Sequence, residues 1–466
     1  MNTKKILHFS IGPIGSAAIG LITLPVITWF FSPDDIGRLS MLQVTISFVL
    51  LIFSLGLDQA YVREFHESNN TPLLLKNTIG VGFLLLSFTL VIFSFQPEKI
   101  SIWLFNLDDK HLGILILLCL LASFISRFLS LILRMQERGL AFSMSQVLPK
   151  VFFLFLISSY VLLDSNFTTL QIIAAHTLSI LLVCIIYGWN TRKEILAAIP
   201  KKFDNEKILS MLRYSIPLIF GGLAYWGLIS VDKVFLRALS SYEELGIYSV
   251  AVSFAAVATI FQSIFTTVWA PTVYKWVSSG KNLDKVQQVT NYVLFIVILI
   301  FCFVGLFSWV INLILPDAYH NIQYIIAACL GFPLLYTLSE TTVVGIGITK
   351  KTLFALAASV IALISNLIGN YLLIPHYGAA GAAASTCASF WIFFVCRTEF
   401  AILVWQPIPR LALYFFSLMC VMLAIAASLL GESHVVMLMV LWGVLLVFAL
   451  FIFRDIARQA INFTFT

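Results

Sequence analysis

Four ionisable side chains stand inside stretches otherwise built from Leu, Ile, Phe and Val: Arg127, Lys150, Glu340 and, near the end of its stretch, Asp58. A charge held in hydrocarbon costs roughly 2.5 to 3.5 kcal/mol on insertion scales, so each must face a partner or a water-filled cavity. Counted from the polar ends of their stretches at about 1.5 Å per residue, Arg127 lies about 10 Å deep and Lys150 about 13 Å deep, on sequential antiparallel helices. Two cations then share one level. Asp58 can neutralise one of them as a structural ion pair, and that leaves the other cation for an anion. An oxyanion suits the position, because Arg holds such a group with two parallel hydrogen bonds and Lys holds it as a point charge. Arg127 and Lys150 are therefore the expected substrate-binding residues, with Asp58 and Glu340 as ion-pair or coupling groups.

Other chemical constellations are missing. The seven histidines are scattered singly, without HExxH or another paired metal spacing. The seven cysteines fall in apolar stretches, are odd in number and form no CxxC pair, so neither a disulfide framework nor a zinc site is expected. Gly345-Ile-Gly347-Ile-Thr-Lys350 lacks the GxxxxGK[ST] pattern of a phosphate loop, which excludes ATP-driven work by this chain alone. Asp108-Asp109 and Glu243-Glu244 are adjacent carboxylates, and adjacent residues do not face one site. No catalytic residue, metal or cofactor is expected, and the chain is read as a protein other than an enzyme.

The elements that must position these charges follow from composition. Of 466 residues, 60% are hydrophobic and 11% charged, and the mean hydropathy is +1.00. Soluble domains are near half apolar and a quarter charged, so this is an all-α integral membrane protein. At about 20 residues per span, the apolar runs give about fourteen transmembrane helices, the second over 39–62 and the eighth over 245–269. The net charge of +6 is spread over short loops, with no basic run fit to grip nucleic acid. With a cytoplasmic N-terminus, 21 of the 28 Lys and Arg fall on the inner side and 5 on the outer side, which places both termini in the cytoplasm. Trp29, Trp103, Trp226 and Trp309 near the outer boundary, and Trp189, Trp276 and Trp405 near the inner one, read as interfacial belts.

The longest polar connection, 190–208, divides six spans from eight and reads as a cytoplasmic linker. Ser32-Pro-Asp34-Asp35-Ile36-Gly37-Arg-Leu-Ser40 returns at Ser241-Tyr-Glu243-Glu244-Leu245-Gly246-Ile-Tyr-Ser249, each copy in the outer loop between the first and second span of its half. Acids in the first turn, with Gly and Ser where the helix begins, are a helix-start signature. The expected organisation is a six-helix bundle over 1–189, the linker, a second six-helix bundle over 209–402, and two additional helices with a tail over 403–466. Copies of one orientation make the bundles parallel repeats, an arrangement typical of alternating-access transporters. Asp34, Asp35, Glu243 and Glu244 are then candidates for an outer gate.

These residues resemble the polysaccharide flippases, the Wzx or O-antigen flippase group of the multidrug/oligosaccharidyl-lipid/polysaccharide exporter superfamily. The likeness covers essentially the whole chain. It is carried by Asp34-Asp35-Ile36-Gly37 and its repeat, by Gly-Leu-Asp58-Gln59-Ala-Tyr61-Val-Arg63, by Asp232, and by the hairpin Asn370-Tyr-Leu-Leu-Ile374-Pro375-His-Tyr377-Gly378-Ala-Ala-Gly381-Ala-Ala-Ala384. In that hairpin Pro375 stops a helix, Gly378 allows a tight turn and Gly381 permits close packing. The resemblance implies a flippase that moves a polyprenyl-pyrophosphate-linked oligosaccharide from the cytoplasmic to the periplasmic face for surface polysaccharide assembly. It also implies an inner-membrane location and contact with membrane lipid and polysaccharide assembly proteins; a monomer is expected. Asp232 joins Asp58 and Glu340 as an ion-pair or coupling candidate. A drug or cation antiporter of the same superfamily is the alternative, against which the cavity cations argue. A polysaccharide polymerase or ligase would use an extended outer loop, and the longest one here, about 96–110, carries no catalytic set.

Overall fold

The computed structural model describes residues 3–163, 167–278 and 284–456. Lys281 and Arg458, counted among the inner cations, lie outside the described residues. Every regular element among the described residues is helical, and two compact units, Met1–Trp226 and Gly227–Thr466, have their boundary inside one long helix.

The first unit holds α1 (Thr3–Phe30), α2 (Pro33–Phe53), α3 (Leu57–Glu64), α4 (Thr71–Ser94), α5 (Pro97–Phe105), α6 (Lys110–Met135), α7 (Gly139–Leu163), α8 (Thr169–Asn190), α9 (Arg192–Ala198) and the start of α10 (Asn205–Leu239). Small residues let α1 and α7 approach closely: a methyl on Gly12 would lie 2.9 Å from Cα of Ser143, and one on Gly15 would lie 3.2 Å from Val147. Several hydrogen bonds tie the polar segment 190–208 down, three of them on α4 and the end of α6. Gln136 donates to Glu194 at 2.7 Å, Lys76 to the Ile199 carbonyl at 2.5 Å, and the Asp204 amide to Asn77 at 3.2 Å. This stretch packs on the first unit, so its polarity reflects surface exposure as well as connection.

Span two, read from the sequence as continuous over 39–62, is broken. Leu55 and Gly56 adopt φ of 52° and 66°, ending α2 and re-aiming α3. Close packing requires the break, since a Cβ on Gly56 would lie 2.8 Å from the Ser215 carbonyl oxygen. Asp58 consequently falls in the first turn of α3, where the positive end of the helix dipole favours a carboxylate.

The second unit contains the rest of α10, then α11 (Tyr242–Ala255), α12 (Ala258–Ser278), α13 (Asp284–Phe307), α14 (Ile322–Cys329), α15 (Gly331–Ile348), α16 (Leu353–Val404) and α17 (Leu411–Ile452). Span eight is also broken, with α11 and α12 bent by 48°. Among the described residues, eleven helices are long and apolar enough to cross a membrane, or twelve if that bent pair is one span.

The 52 residues of α16 would extend about 78 Å as one rod, far beyond the roughly 30 Å core. They fold back instead. Ser385 Oγ donates to the carbonyl of Asn366 at 3.1 Å, although 19 residues separate them. The reversal is at Gly378, with φ 50° and ψ −127°, the geometry of the first central residue of a type II′ turn. α17 reverses similarly at His434, bringing the Phe416 and Phe448 rings to 5.6 Å. α17 is also an integral part of the unit: Trp391 donates to Ser417 at 3.1 Å, and Phe295 packs on Phe453 at 5.7 Å. Three of the Trp side chains read as interfacial also make contacts within their units. Trp226 donates to Ser47 at 2.9 Å inside the first unit, while Trp276 and Trp405 pack on a cluster around Trp269 and Val273.

Gly378 is the one residue of the α16 turn whose backbone excludes a side chain. Gly378→Ala should destabilise the protein by at least about 1 kcal/mol, because a Cβ there is strained and also meets the Glu244 carboxylate. Thermal unfolding of the purified variant tests this, and an unchanged melting temperature would contradict it.

Candidate functional site

In the first unit Arg127 lies about 12 Å from the end of α6, and Lys150 about 16 Å from the start of α7. The structure separates their fates. Arg127 donates to Asp58 Oδ2 at 2.9 Å, with the Arg side chain 50% exposed and the Asp 13% exposed. Lys150 follows Pro149 within α7 and crosses to α1, where its Nζ donates to the Ser16 carbonyl at 2.9 Å. Gly20 leaves room for that crossing, because a Cβ there would lie 3.0 Å from Nζ. An ammonium has three donors and no acceptor, and this contact occupies one of them. No carboxylate among the described residues lies within ion-pair distance of Lys150. Of the two cations the sequence places at one level, Asp58 pairs with Arg127, and Lys150 has no carboxylate partner among the described residues.

Glu340 in α15 is paired with Arg397 at 2.8 Å, each side chain less than 15% exposed. Arg397 also donates to Ser339 at 2.7 Å and lies over the Phe393 ring at 4.9 Å. The sequence count placed Arg397 among inner-loop cations. It stands instead about 10 Å inside the end of α16. Glu340 is therefore the carboxylate of a satisfied ion pair.

Asp232 on α10 is 1% exposed. Its Oδ2 accepts from the Tyr248 hydroxyl at 2.7 Å and Thr386 Oγ1 at 2.6 Å, and its Oδ1 accepts from Asn370 Nδ2 at 2.7 Å. Asn366 completes the cluster, donating to Thr386 at 3.1 Å and accepting from Asn370 at 3.1 Å. Asn370 Oδ1 is buried without a hydrogen-bond partner. No Lys or Arg among the described residues pairs with Asp232. Its direct hydrogen-bond partners are neutral donors, and the adjoining Lys233 acts on it electrostatically without lying within ion-pair distance. Asp232 was legible as a family position, but its partners lie 16, 138 and 154 residues away along the chain.

The repeated acids occupy matching positions. Ser32 caps α2 by accepting from the Asp35 amide at 3.2 Å, and Ser241 caps α11 by accepting from the Glu244 amide at 3.2 Å. Both copies are helix starts, as the repeat predicts. Each second acid then reaches the start of a distant helix in its own unit. Asp35 accepts from Thr169 at the head of α8, with Arg38 at 3.7 Å, and Glu244 Oε2 accepts from the Ala379 amide at the head of the second half of α16 at 2.7 Å. The sequence separations of these contacts are 134 and 135. Asp34 stays 46% exposed, 3.9 Å from Arg38, and Glu243 is exposed on the first turn of α11.

Residues 3–277 match the model of a family described as polysaccharide biosynthesis protein. The capsular polysaccharide biosynthesis protein CapF of Staphylococcus aureus is 23% identical over 407 residues, 84% of this chain and 96% of its own. The probable low-salt glycan biosynthesis flippase Agl15 of Haloferax volcanii is 22% identical over 219 residues, 46% of each chain. Among solved structures, the lipid II flippase MurJ in an inward closed conformation has a TM-score of 0.68 at 15% identity, covering 96% of this chain and 99% of that one. An inward-facing multidrug resistance MATE family transporter has a TM-score of 0.58 at 13% identity, covering 83% of this chain and 94% of that one. At these identities the structural likeness is one of fold.

Proposed function

The chain belongs to the polysaccharide biosynthesis protein family, and we propose that within it this protein is a flippase for a polyprenyl-pyrophosphate-linked oligosaccharide, which it carries from the cytoplasmic to the outer face of the inner membrane by alternating access. The observation that carries the reading is Lys150, a cation deep in an apolar helix with no carboxylate partner and two donors to spare. Arg127 stands on the neighbouring helix with half its side chain exposed, and it adds further donors despite its pair with Asp58. Together they suit the pyrophosphate of a lipid carrier and repel a cationic drug. Asp232 is the coupling carboxylate, its charge state following the proton or cation that drives the cycle. Asp58 and Glu340 hold helices as ion-pair partners. Asp34, Asp35, Glu243 and Glu244 act at the outer gate, where the second acid of each pair keeps its own unit stiff as the gate works.

Deleting the gene should abolish surface polysaccharide and leave lipid-linked oligosaccharide on the inner leaflet, with recovery when the gene is restored. Unchanged surface polysaccharide in the deletion strain would defeat the reading.

The cation asymmetry and the reversals of α16 and α17 support fourteen spans with both termini cytoplasmic. Reporter fusions at Ala318 and Gly431 should therefore report the periplasm, as should one at Ser165, which lies outside the described residues. Cytoplasmic signals at both Ala318 and Gly431 would overturn the topology.

A further inference from the structure

A cavity of about 350 Å³ opens at one end of the second unit. Four helix ends surround it: the start of α11 with Glu244, the start of α14 with Asn321 and Tyr324, the α16 turn with Tyr377, and the α17 turn with Glu432 and Ser433. Its walls are pre-set rather than adaptable. Glu244 is held by the Ala379 amide through Oε2, which leaves Oε1 for a ligand. Tyr324 packs against Gly431, where a Cβ would come within 2.6 Å of a ring carbon, and it also makes an edge contact with the His320 ring at 6.0 Å. The turn that presents Tyr377 is fixed by Gly378.

The lining determines the class of occupant. No Lys or Arg borders the cavity, while Glu244 and Glu432 both do. A phosphate or an acidic sugar would meet two like charges without compensation, and is excluded. Two carboxylates and two tyrosines admit a cation or a neutral ligand with many hydroxyl donors and apolar CH edges, and the proposed cargo carries the second. Carboxylates accept charge-assisted hydrogen bonds from hydroxyls, Tyr324 and Tyr377 each offer an apolar ring with a polar tip, and Asn321 and Ser433 supply groups that both donate and accept. The volume is at the small end of the range for small-molecule sites, enough for one or two sugar rings.

We propose that this cavity is a saccharide site that takes one or two neutral sugar residues of the cargo's glycan at the outer face. The proposal rests on the flippase reading for the identity of the cargo and for the side of the membrane. It separates two tasks between the units: the cations of the first unit hold the pyrophosphate, and the acids and tyrosines of the second hold the glycan. Cargo selection by sugar type is then a property of the outer cavity, not of the cationic helices.

The test is binding of the free glycan to the full chain in lipid nanodiscs, which avoids sugar-based detergents. The probe is the repeat-unit oligosaccharide released by mild acid from the producing cell's own lipid-linked pool, titrated by calorimetry, with L-argininamide as a cationic competitor. Saturable binding is expected, weakened at least tenfold by Glu432→Gln and by Tyr324→Ala. Glu98→Gln, which removes a carboxylate on α5 in the other unit, should leave binding unchanged. Absence of saturable binding, equal binding by the two cavity variants and wild type, or displacement of the glycan by L-argininamide at lower concentration than the glycan itself requires would each overturn the proposal. Failure of the flippase reading would register separately, as intact surface polysaccharide in the deletion strain.

Discussion

Lys150→Ala should cut polysaccharide export at least tenfold while leaving the amount of protein in the membrane at or above the wild-type level. The two halves of this expectation have different causes. Export falls because, of the two cations deep in the apolar helices of the first unit, Arg127 has a carboxylate partner and Lys150 has none among the described residues, so its removal takes the proposed pyrophosphate ligand away and leaves no carboxylate newly unpaired. A tenfold loss corresponds to about 1.4 kcal/mol, modest for a desolvated ion contact. Abundance is spared because a cation at this depth costs roughly 2.5 to 3.5 kcal/mol on insertion scales, and alanine avoids that cost. Arg127→Ala should also stop export, but with a different signature, since it strands Asp58 at 13% exposure and should reduce abundance as well. Arg127→Lys should restore part of both, because charge survives and the two-pronged geometry does not. Asp58→Asn, by contrast, should lower abundance more than transport per molecule. Export is read as surface polysaccharide normalised to protein on a membrane blot. Wild-type export from well-inserted Lys150→Ala would place the anion elsewhere.

Periodicity and local chemistry made the helix starts, the turn at Gly378 and the depth of Arg127 and Lys150 along their helices legible, because each depends on residues within a few positions of one another. Ser32 and Ser241 announce their caps through side chains that reach only three residues forward. Gly378 announces its turn because only glycine adopts that φ and ψ without strain. The break at Leu55 was not legible. Leucine has no preference for φ 52°, and the Ser215 carbonyl, whose approach leaves no room for a Cβ on the neighbouring Gly56, lies far along the chain.

The partnerships of the charges were legible only as alternatives. Whether Asp58 meets Arg127 or Lys150 depends on the rotation of α3 and α6 about their axes, which hydropathy in an almost wholly apolar helix does not encode. Arg397 was misplaced for a related reason. At the end of a long helix a cation reads as a loop residue, and the partner that draws it inward, Glu340, is on another helix 57 residues away. The same limit hid the cavity of the second unit, whose walls come from four helix ends brought together by the packing of helices between them.

Asp232→Asn should abolish coupled transport while the protein still folds. Asparagine keeps the volume of the buried aspartate and retains a carbonyl oxygen that can accept from Tyr248 or Thr386, so the cavity term that follows truncation does not arise. Its amide nitrogen, however, would face Asn370 Nδ2, setting donor against donor where the wild-type contact is 2.7 Å. Leaving one buried donor unmatched costs about 1 to 3 kcal/mol, enough to lower the melting temperature of a protein that still assembles. Asp232→Leu should do worse, because it orphans Tyr248, Thr386 and Asn370 together, and loss of the protein from the membrane is expected. The transport effect of the asparagine variant has a separate origin. Its side chain has no charge to exchange for a proton or a cation, so a cycle driven by either stops however well the cargo binds. Purified protein in vesicles under an imposed ion gradient, scored for translocated lipid-linked oligosaccharide per folded molecule, separates the two effects. Thr386→Val completes the comparison: it removes one neutral donor and keeps the charge, so it should weaken stability by about 1 kcal/mol and leave gradient-driven transport measurable. Gradient-driven transport at the wild-type rate by folded Asp232→Asn would show that this cluster only binds its own helices together and that coupling resides elsewhere.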